Sequence, residues 1–171
     1  IKENDKIVGI APGSVWETKR WLPEGFGDVA DSLISELRVR VVFLGGKEDE
    51  GLCLDISKKM KGKTFVAAGK TSPLQSAALI SRCGVLFSND TAPMHIAVAM
   101  TVPVVAIFGS TVPEFGFAPT GEKDIVIQKE LYCRPCGIHG KRRCPEKHFR
   151  CMREITVDEV FEAVKKVWSV N

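Results

Sequence analysis

The sequence predicts an α/β fold: a Rossmann-like, doubly wound parallel sheet of about six strands. Short apolar runs alternate with segments in which apolar residues recur at helical spacing, a pattern typical of β-α-β units. The fourth and fifth runs are almost continuously apolar, as expected of strands covered by helices on both faces. The chain of 171 residues fits one domain, residues 1–171. The runs interpreted as strands are residues 7–11, 39–44, 65–67, 85–88, 104–108 and 125–127.

Helix starts follow most of these strands. Pro23 opens the first helix because proline suits the first helical turn. The charged residues 47–50 lead into the second helix. Residues 72–75 and 156–159 are capping boxes, in which the first and fourth side chains satisfy each other's backbone N–H groups. We therefore expect the third helix to run from the first box to about residue 82, and the last helix to follow the second box.

Residues 88–95 join the fourth strand to the fourth helix. Asp90 and Thr91 are both good N-cap residues, and Pro93 suits the first turn. A helix start leaves several backbone N–H groups free, and together with the helix dipole they favour phosphate. His95 lies four residues after Thr91 and shares its face of the helix. The alternative is a well-capped helix with a buried histidine and no ligand.

The loops at the carboxyl ends of the strands indicate a polar ligand. These ends meet at one edge of a parallel sheet, where ligands of such folds bind. Each loop carries glycine, serine, threonine or charge, which suits a ligand with phosphate. The loops are residues 12–21, 45–50, 69–72, 89–92 and 109–114.

Several ligand classes are disfavoured. Residues 11–14 contain one glycine and lack the G-x-G-x-x-G spacing of dinucleotide oxidoreductases. Residues 69–71 resemble the end of a P-loop, but Thr64 occupies the position of its first glycine. No Asp-x-Asp is present to hold a metal on a diphosphate. Helix N-termini and cations must then offset phosphate charge, and Lys19 is the best-placed cation; the alternative for Lys19 is a solvated loop lysine.

Five segments, in this order and spacing, resemble the C-terminal half of the lipopolysaccharide heptosyltransferases. The resemblance runs from about Lys6 to the last helix and extends to residues 133–136 and 151–152. The segments that carry it are residues 16–23, 44–46, 68–72, 88–95 and 102–109.

The resemblance implies one half of a GT-B glycosyltransferase. Such an enzyme transfers L-glycero-D-manno-heptose from ADP-heptose to the lipopolysaccharide core, inverting the anomeric centre without a catalytic metal or other cofactor. This chain would be the donor-binding half, and the start at Ile1 rather than Met agrees with a fragment. The acceptor and the catalytic aspartate base would belong to an N-terminal half outside the chain, so no catalytic residue is expected here. The implied location is the cytoplasmic face of the inner membrane, with peripheral attachment as one option.

The resemblance also implies a role for individual residues at the donor. Ala92 departs from the usual glycine, which implies a less close approach of backbone to phosphate, and Thr101 replaces a second glycine. The implied contacts are Ser14 and Lys19 with the phosphates, Asp49 (or its neighbour Glu48) with the ribose, Gly69, Lys70 and Thr71 with the adenine, Asp90, Thr91 and Ala92 with the diphosphate and sugar, and His95 in the same pocket.

Four cysteines lie in a basic segment near the end of the chain. They allow a structural zinc site, although the second pair is widely and irregularly spaced, so we expect free or crosslinked thiols and no metal. Cys53 and Cys83 are expected to be buried apolar residues. The four clustered cysteines are Cys133, Cys136, Cys144 and Cys151.

The basic residues of this segment are compatible with more than one role. These residues are Lys141, Arg142, Arg143, Lys147, Arg150 and Arg153. They suit an anionic acceptor, or a solvated surface, or a non-enzymatic nucleic-acid-binding module with a zinc-like knuckle. The net charge of +3 is too small to indicate nucleic acid by itself, and the rest of the chain has no basic bias. We therefore expect the transferase function and no nucleic-acid partner.

Overall fold

Six parallel strands form one sheet in the order β3-β2-β1-β4-β5-β6. The computed structural model describes residues 5–169. It confirms the predicted α/β class and sheet, with each strand within about two residues of its predicted bounds. The direction of winding reverses between β1 and β4, which creates a crevice at their carboxyl ends. The strands are β1 Ile7–Ala11, β2 Arg40–Phe43, β3 Thr64–Val66, β4 Val85–Asn89, β5 Val104–Ile107 and β6 Ile125–Ile127.

Within the described part of the chain, six α-helices accompany the sheet. Both predicted capping boxes form: the Gln75 N–H donates to Ser72 Oγ, and the Glu159 N–H donates to Thr156 Oγ1. No helix of residues 5–169 is both long and apolar enough to cross a membrane. The helices are α1 Pro23–Leu37, α2 Glu50–Lys59, α3 Pro73–Ile80, α4 Ala92–Ala99, α5 Arg150–Arg153 and α6 Val157–Ser169.

The two faces of the sheet are covered by different helices. In β1 the side chains of Val8 and Ile10 pack into one core with residues of α1, α2 and α6. Ile7 and Ala11 point to the opposite face, where they join residues of α3 and α4. This alternation follows from the two-residue period of a strand. Burial on both faces explains why β1, β4 and β5 are apolar along nearly their whole length.

Trp21 fixes the loop that follows β1. Its ring packs edge-on against Phe26, with 5.2 Å between ring centroids, and against Phe87 at 5.9 Å. Its backbone N–H donates to Asn89 Oδ1 (3.0 Å). A Cβ on Gly25 would lie 2.5 Å from the indole, so only glycine allows α1 to approach this closely. The loop is thereby held rigidly at the carboxyl edge of the sheet.

The cysteine-rich segment, residues 129–149, has little regular structure but is firmly attached. The Arg134 guanidinium donates to the carbonyl oxygens of Gly109 and Thr111, in the loop after β5. The Lys141 N–H donates to Thr18 Oγ1 (2.7 Å), and the Thr18 N–H donates to the Lys141 carbonyl (3.1 Å). The segment therefore belongs to the same domain and lies along the loop after β1.

Candidate functional site

A cleft of about 430 Å³ opens at the point where the strand order reverses. We call it the strand-end cleft. The loops after β1 and β2 and the first turn of α4 form its walls, so three of the five predicted loops meet there. Its lining residues are Ala11, Gly13, Ser14, Val15, Arg20, Leu44, Gly45, Gly46, Glu48, Asp49, Thr91, Ala92 and Pro93.

The start of α4 contributes a nearly free helix N-terminus to the cleft. Thr91 is the N-cap residue, but its side chain makes no capping hydrogen bond. Ala92 begins the helix and lies exposed at the cleft surface. No side chain caps the turn, but Pro93 has no N–H and the Met94 N–H donates to the Thr91 carbonyl (3.1 Å), which leaves the Ala92 N–H of this turn for an anion. Residues 88–95 thus contain the predicted helix start, and anion binding there stays a prediction.

Asp90 does not cap α4, contrary to its predicted role as an N-cap residue. Its carboxylate is almost fully buried, lies 2.6 Å from Lys19 Nζ and accepts a hydrogen bond from Thr111 Oγ1 (2.7 Å). A tertiary ion pair has taken the place of the local cap. The predicted contact of Asp90 with the diphosphate and sugar stays a prediction.

Lys19 is therefore not a solvated loop lysine, which was the alternative to its predicted role, and its contact with the phosphates stays a prediction. Its side chain is 12% exposed and paired with Asp90, and it is not among the residues that line the strand-end cleft. The cation that lines the cleft is Arg20, whose Nε donates to the Ser14 carbonyl (2.7 Å) and whose guanidinium pairs with Glu17. Ser14 is buried at the cleft surface, and its Oγ accepts from the Trp16 N–H.

The predicted ribose-binding carboxylates, Glu48 and Asp49, both line the cleft. Asp49 is held by the loop: its Oδ2 accepts from the Gly46 N–H (2.9 Å). A Cβ on Gly13 would lie 2.1 Å from Asp49 Oδ1, so the close approach of this carboxylate requires glycine. Glu48 is exposed. The geometry thus brings both carboxylates to the cleft and leaves the choice between them to experiment.

A smaller space of about 250 Å³ continues the cleft between α3 and α4. Thr71 lines it, and its Oγ1 is hydrogen-bonded to Ser76 Oγ (2.8 Å). The N–H groups of Gly69 and Lys70 already donate to the carbonyls of Gly45 and Ala67. Of the three residues predicted to meet adenine, Thr71 is the one that lines this space, and their roles remain a prediction.

His95 lies on the exposed surface of α4. The alternative of a buried histidine is therefore wrong. His95 is also not among the residues that line the strand-end cleft or its continuation. It would reach a ligand only if that ligand extended beyond both spaces, over the outer face of the helix.

The four clustered cysteines are free thiols. Cys133 Sγ lies 3.8 Å from His148 Nε2, and Cys136 Sγ donates to the Cys133 carbonyl. Within residues 5–169, no group of three or more potential ligands is close enough to hold a metal ion. The expectation that no metal binds here stays a prediction.

Two residues important to the site were not predicted. The Asn89 amide donates to the Pro12 carbonyl (2.8 Å) and accepts from the Trp21 N–H, which joins the end of β4 to the loop after β1. The Thr111 hydroxyl donates a hydrogen bond to the Asp90 carboxylate. The sequence signal for Asn89 was an amide at the end of an apolar strand, whereas nothing local marked Thr111.

The strand order and the polar cleft at the reversal point define a Rossmann-like domain. A family model for glycosyltransferase family 9 (heptosyltransferase) matches residues 1–149. The chain belongs to this family. It is 30% identical over 171 residues to lipooligosaccharide heptosyltransferase 2 of Campylobacter jejuni, covering 98% of this chain and 53% of that relative.

Solved structures agree with this assignment. E. coli ADP-heptose lps heptosyltransferase II superposes with a TM-score of 0.83 at 26% identity, covering 99% of this chain and 48% of the other. A glycosyltransferase of family 9 from Veillonella parvula superposes with a TM-score of 0.85 at 28% identity, covering 100% and 48%. The chain thus spans about half the length of the relatives it matches, which agrees with the predicted half of a GT-B fold.

Proposed function

We propose that this chain is the donor-binding half of a heptosyltransferase. The donor is ADP-L-glycero-D-manno-heptose, and the acceptor is the inner core of lipopolysaccharide at the cytoplasmic face of the inner membrane. The observation that carries the proposal is the strand-end cleft, which combines a helix N-terminus without a side-chain cap with a nearby buried lysine–aspartate pair. Family membership and the name of the E. coli relative, which specifies ADP-heptose, support the choice of donor.

The chemistry required of a donor half is stabilisation of the departing diphosphate. The first turn of α4 supplies the Ala92 N–H and the positive end of a helix dipole. Lys19 is paired with Asp90, whose charge offsets its own, and Arg20 is the cation that lines the cleft. Such fixed donors stabilise negative charge as it develops on the leaving group. The sequence contains no Asp-x-Asp motif, which supports a metal-independent mechanism.

The second half of the enzyme would supply the acceptor site and the general base. A base must lie within hydrogen-bond reach of the proton that it removes. Two of the carboxylates near the cleft are engaged: Asp90 pairs with Lys19, and Asp49 accepts from the loop backbone. Glu48, which lines the cleft, is the other carboxylate considered for the ribose. We therefore assign the base to the half of the enzyme that the relatives possess in addition to this chain.

A nucleic-acid-binding module is the weaker candidate. It would require the cysteine-rich segment to act as a separate knuckle. Instead, this segment is tied to the loops after β1 and β5 by Arg134 and Lys141. The segment is therefore part of the same domain as the strand-end cleft and not a separate knuckle.

A reconstitution assay tests the proposal. Radiolabelled ADP-heptose and a truncated lipopolysaccharide acceptor are incubated with the chain alone, and with the chain plus a separately made N-terminal half. We expect no useful transfer by the chain alone and restored transfer by the two halves. Thr91→Val should reduce the restored rate, whereas Thr120→Val, an exposed threonine outside the cleft, should not. Robust transfer by the chain alone would show that the base lies within these residues.

A further inference from the structure

A second cavity, of about 490 Å³, lies between the loop after β1 and the cysteine-rich segment. We call it the basic cavity. Five cationic side chains line it, together with an apolar floor that includes Leu22 and Phe149. The cations are Arg20, Arg142, Arg143, Lys147 and Arg153.

The charges in this cavity are strongly unbalanced. Glu17 is the one carboxylate among its lining residues, and it is already paired with Arg20 (2.7 Å). Within residues 5–169, no ion pair or side-chain hydrogen bond engages the other four cations. The nearby acids Glu146 and Glu154 are bound elsewhere, to Tyr132 and Arg150. Unpaired like charges around one hollow repel one another, and an anion would relieve that repulsion.

The shape of the cavity restricts the kind of anion. Its volume lies within the usual range for small-molecule sites and suits one or two sugar rings. The apolar floor suits the C–H faces of a sugar, while the basic rim suits phosphate or carboxylate groups.

The cavity adjoins the strand-end cleft. Arg20 lines both spaces, and its Nε donates to the carbonyl of Ser14, which lines the cleft. Both spaces open at the carboxyl edge of the sheet. A molecule in the basic cavity would thus lie beside a donor in the cleft, as a glycosyl acceptor must.

We propose that the basic cavity binds an anionic sugar of the acceptor, one that carries phosphate or carboxylate groups. This inference rests on the proposed function. It assigns part of acceptor recognition to the donor half, and it gives the basic cysteine-rich segment a role in substrate binding.

Calorimetric titration of the chain with a deacylated, phosphorylated inner-core oligosaccharide tests this proposal. The double variant Arg142→Gln/Lys147→Gln should weaken binding at least tenfold and leave ADP affinity within twofold. The matched control is Lys63→Gln/Lys166→Gln, which removes two exposed charges outside the cavity and should change neither. Because all four side chains are exposed, we expect both variants to fold, which the melting temperature checks.

Three outcomes would overturn the proposal. They are absence of oligosaccharide binding, equal weakening in both double variants, and competition by inorganic phosphate at concentrations similar to those of the oligosaccharide. The last result would reveal a simple phosphate site without sugar recognition. ADP is titrated in parallel. If the chain binds ADP but gives any of these three results, only the acceptor site is contradicted. If the unmodified chain does not bind ADP, the proposed function itself is contradicted.

Discussion

Lys19 Nζ lies 2.6 Å from Asp90 Oδ2, and this ion pair joins the loop after β1 to the end of β4. Both side chains are nearly buried, and Thr111 adds a hydrogen bond to the same carboxylate oxygen. Neither side chain is among the lining residues of the strand-end cleft. The pair therefore acts by linking the two elements that carry cleft residues, the loop after β1 and the start of α4.

Removal of either partner of this pair should destabilise the fold. Lys19→Met leaves a buried carboxylate without its cation, and such changes cost about 3–5 kcal/mol. Lys19→Met/Asp90→Asn should cost less than Lys19→Met alone, because no unpaired charge remains. Urea unfolding of the two single variants and the double variant measures this coupling. Additive costs in that cycle would mean that the two side chains do not interact in solution.

Asp49 is predicted to bind the ribose. Asp49→Asn should weaken ADP binding, and the loss should be smaller for 2′-deoxy-ADP, which lacks one of the hydroxyls concerned. Glu48→Gln is the matched control, since Glu48 lines the same cleft but is more exposed. Calorimetric titration of both nucleotides against the three proteins gives the comparison. If the dependence on the 2′-hydroxyl follows Glu48→Gln instead, Glu48 is the ribose ligand.

Thr101 adopts a left-handed backbone conformation with φ of 56°. β-branched residues rarely occupy this region, whereas glycine does so without steric cost. Thr101→Gly should therefore raise the free energy of unfolding by about 0.5–1 kcal/mol, after allowance for the greater chain entropy of glycine. Thr120→Gly, at an exposed position without positive φ, should have no stabilising effect. Thermal unfolding distinguishes them, and equal changes in melting temperature would contradict backbone strain at residue 101.

Burial raises the pKa of the Cys53 and Cys83 thiols from 9.0 to about 12. Because the folded-state pKa exceeds the unfolded one, the stability that these groups contribute is complete below pH 9 and is lost as pH rises from 9 towards 12. The free energy of unfolding should fall over that range, and it should fall less steeply in Cys53→Ala/Cys83→Ala. In the native chain at pH 8, both thiols should react with iodoacetamide much more slowly than in urea. Rapid native alkylation would show that they are accessible.

Local signals in the sequence were sufficient for most of the fold. The strands follow from apolar runs, and both capping boxes form because their partners lie three residues apart. The error at Asp90 has a different origin. A local rule predicted an N-cap, but Lys19, distant in sequence, competes for the same carboxylate, and only the folded sheet brings the two together.

In the candidate site, too, some features follow from local sequence and others depend on contacts between distant residues. The positions of Thr91, Ala92 and Asp49 at the carboxyl edge follow from strand ends and helix starts. The attachment of the cysteine-rich segment does not: Thr18 and Lys141 are separated by 123 residues. The basic residues were visible in the sequence as a patch, but the cavity that they share with Arg20 depends on that long-range contact.

The most direct test of the central claim, that the strand-end cleft binds a nucleoside diphosphate, is a titration of the chain with ADP and AMP followed by amide NMR. We predict saturable binding of ADP that shifts the amide signals of residues 69–72 and 89–95. Binding of AMP should be weaker, because AMP lacks the second phosphate that the start of α4 is proposed to hold. Equal affinity for ADP and AMP, or shifts confined to residues away from the cleft, would contradict the account.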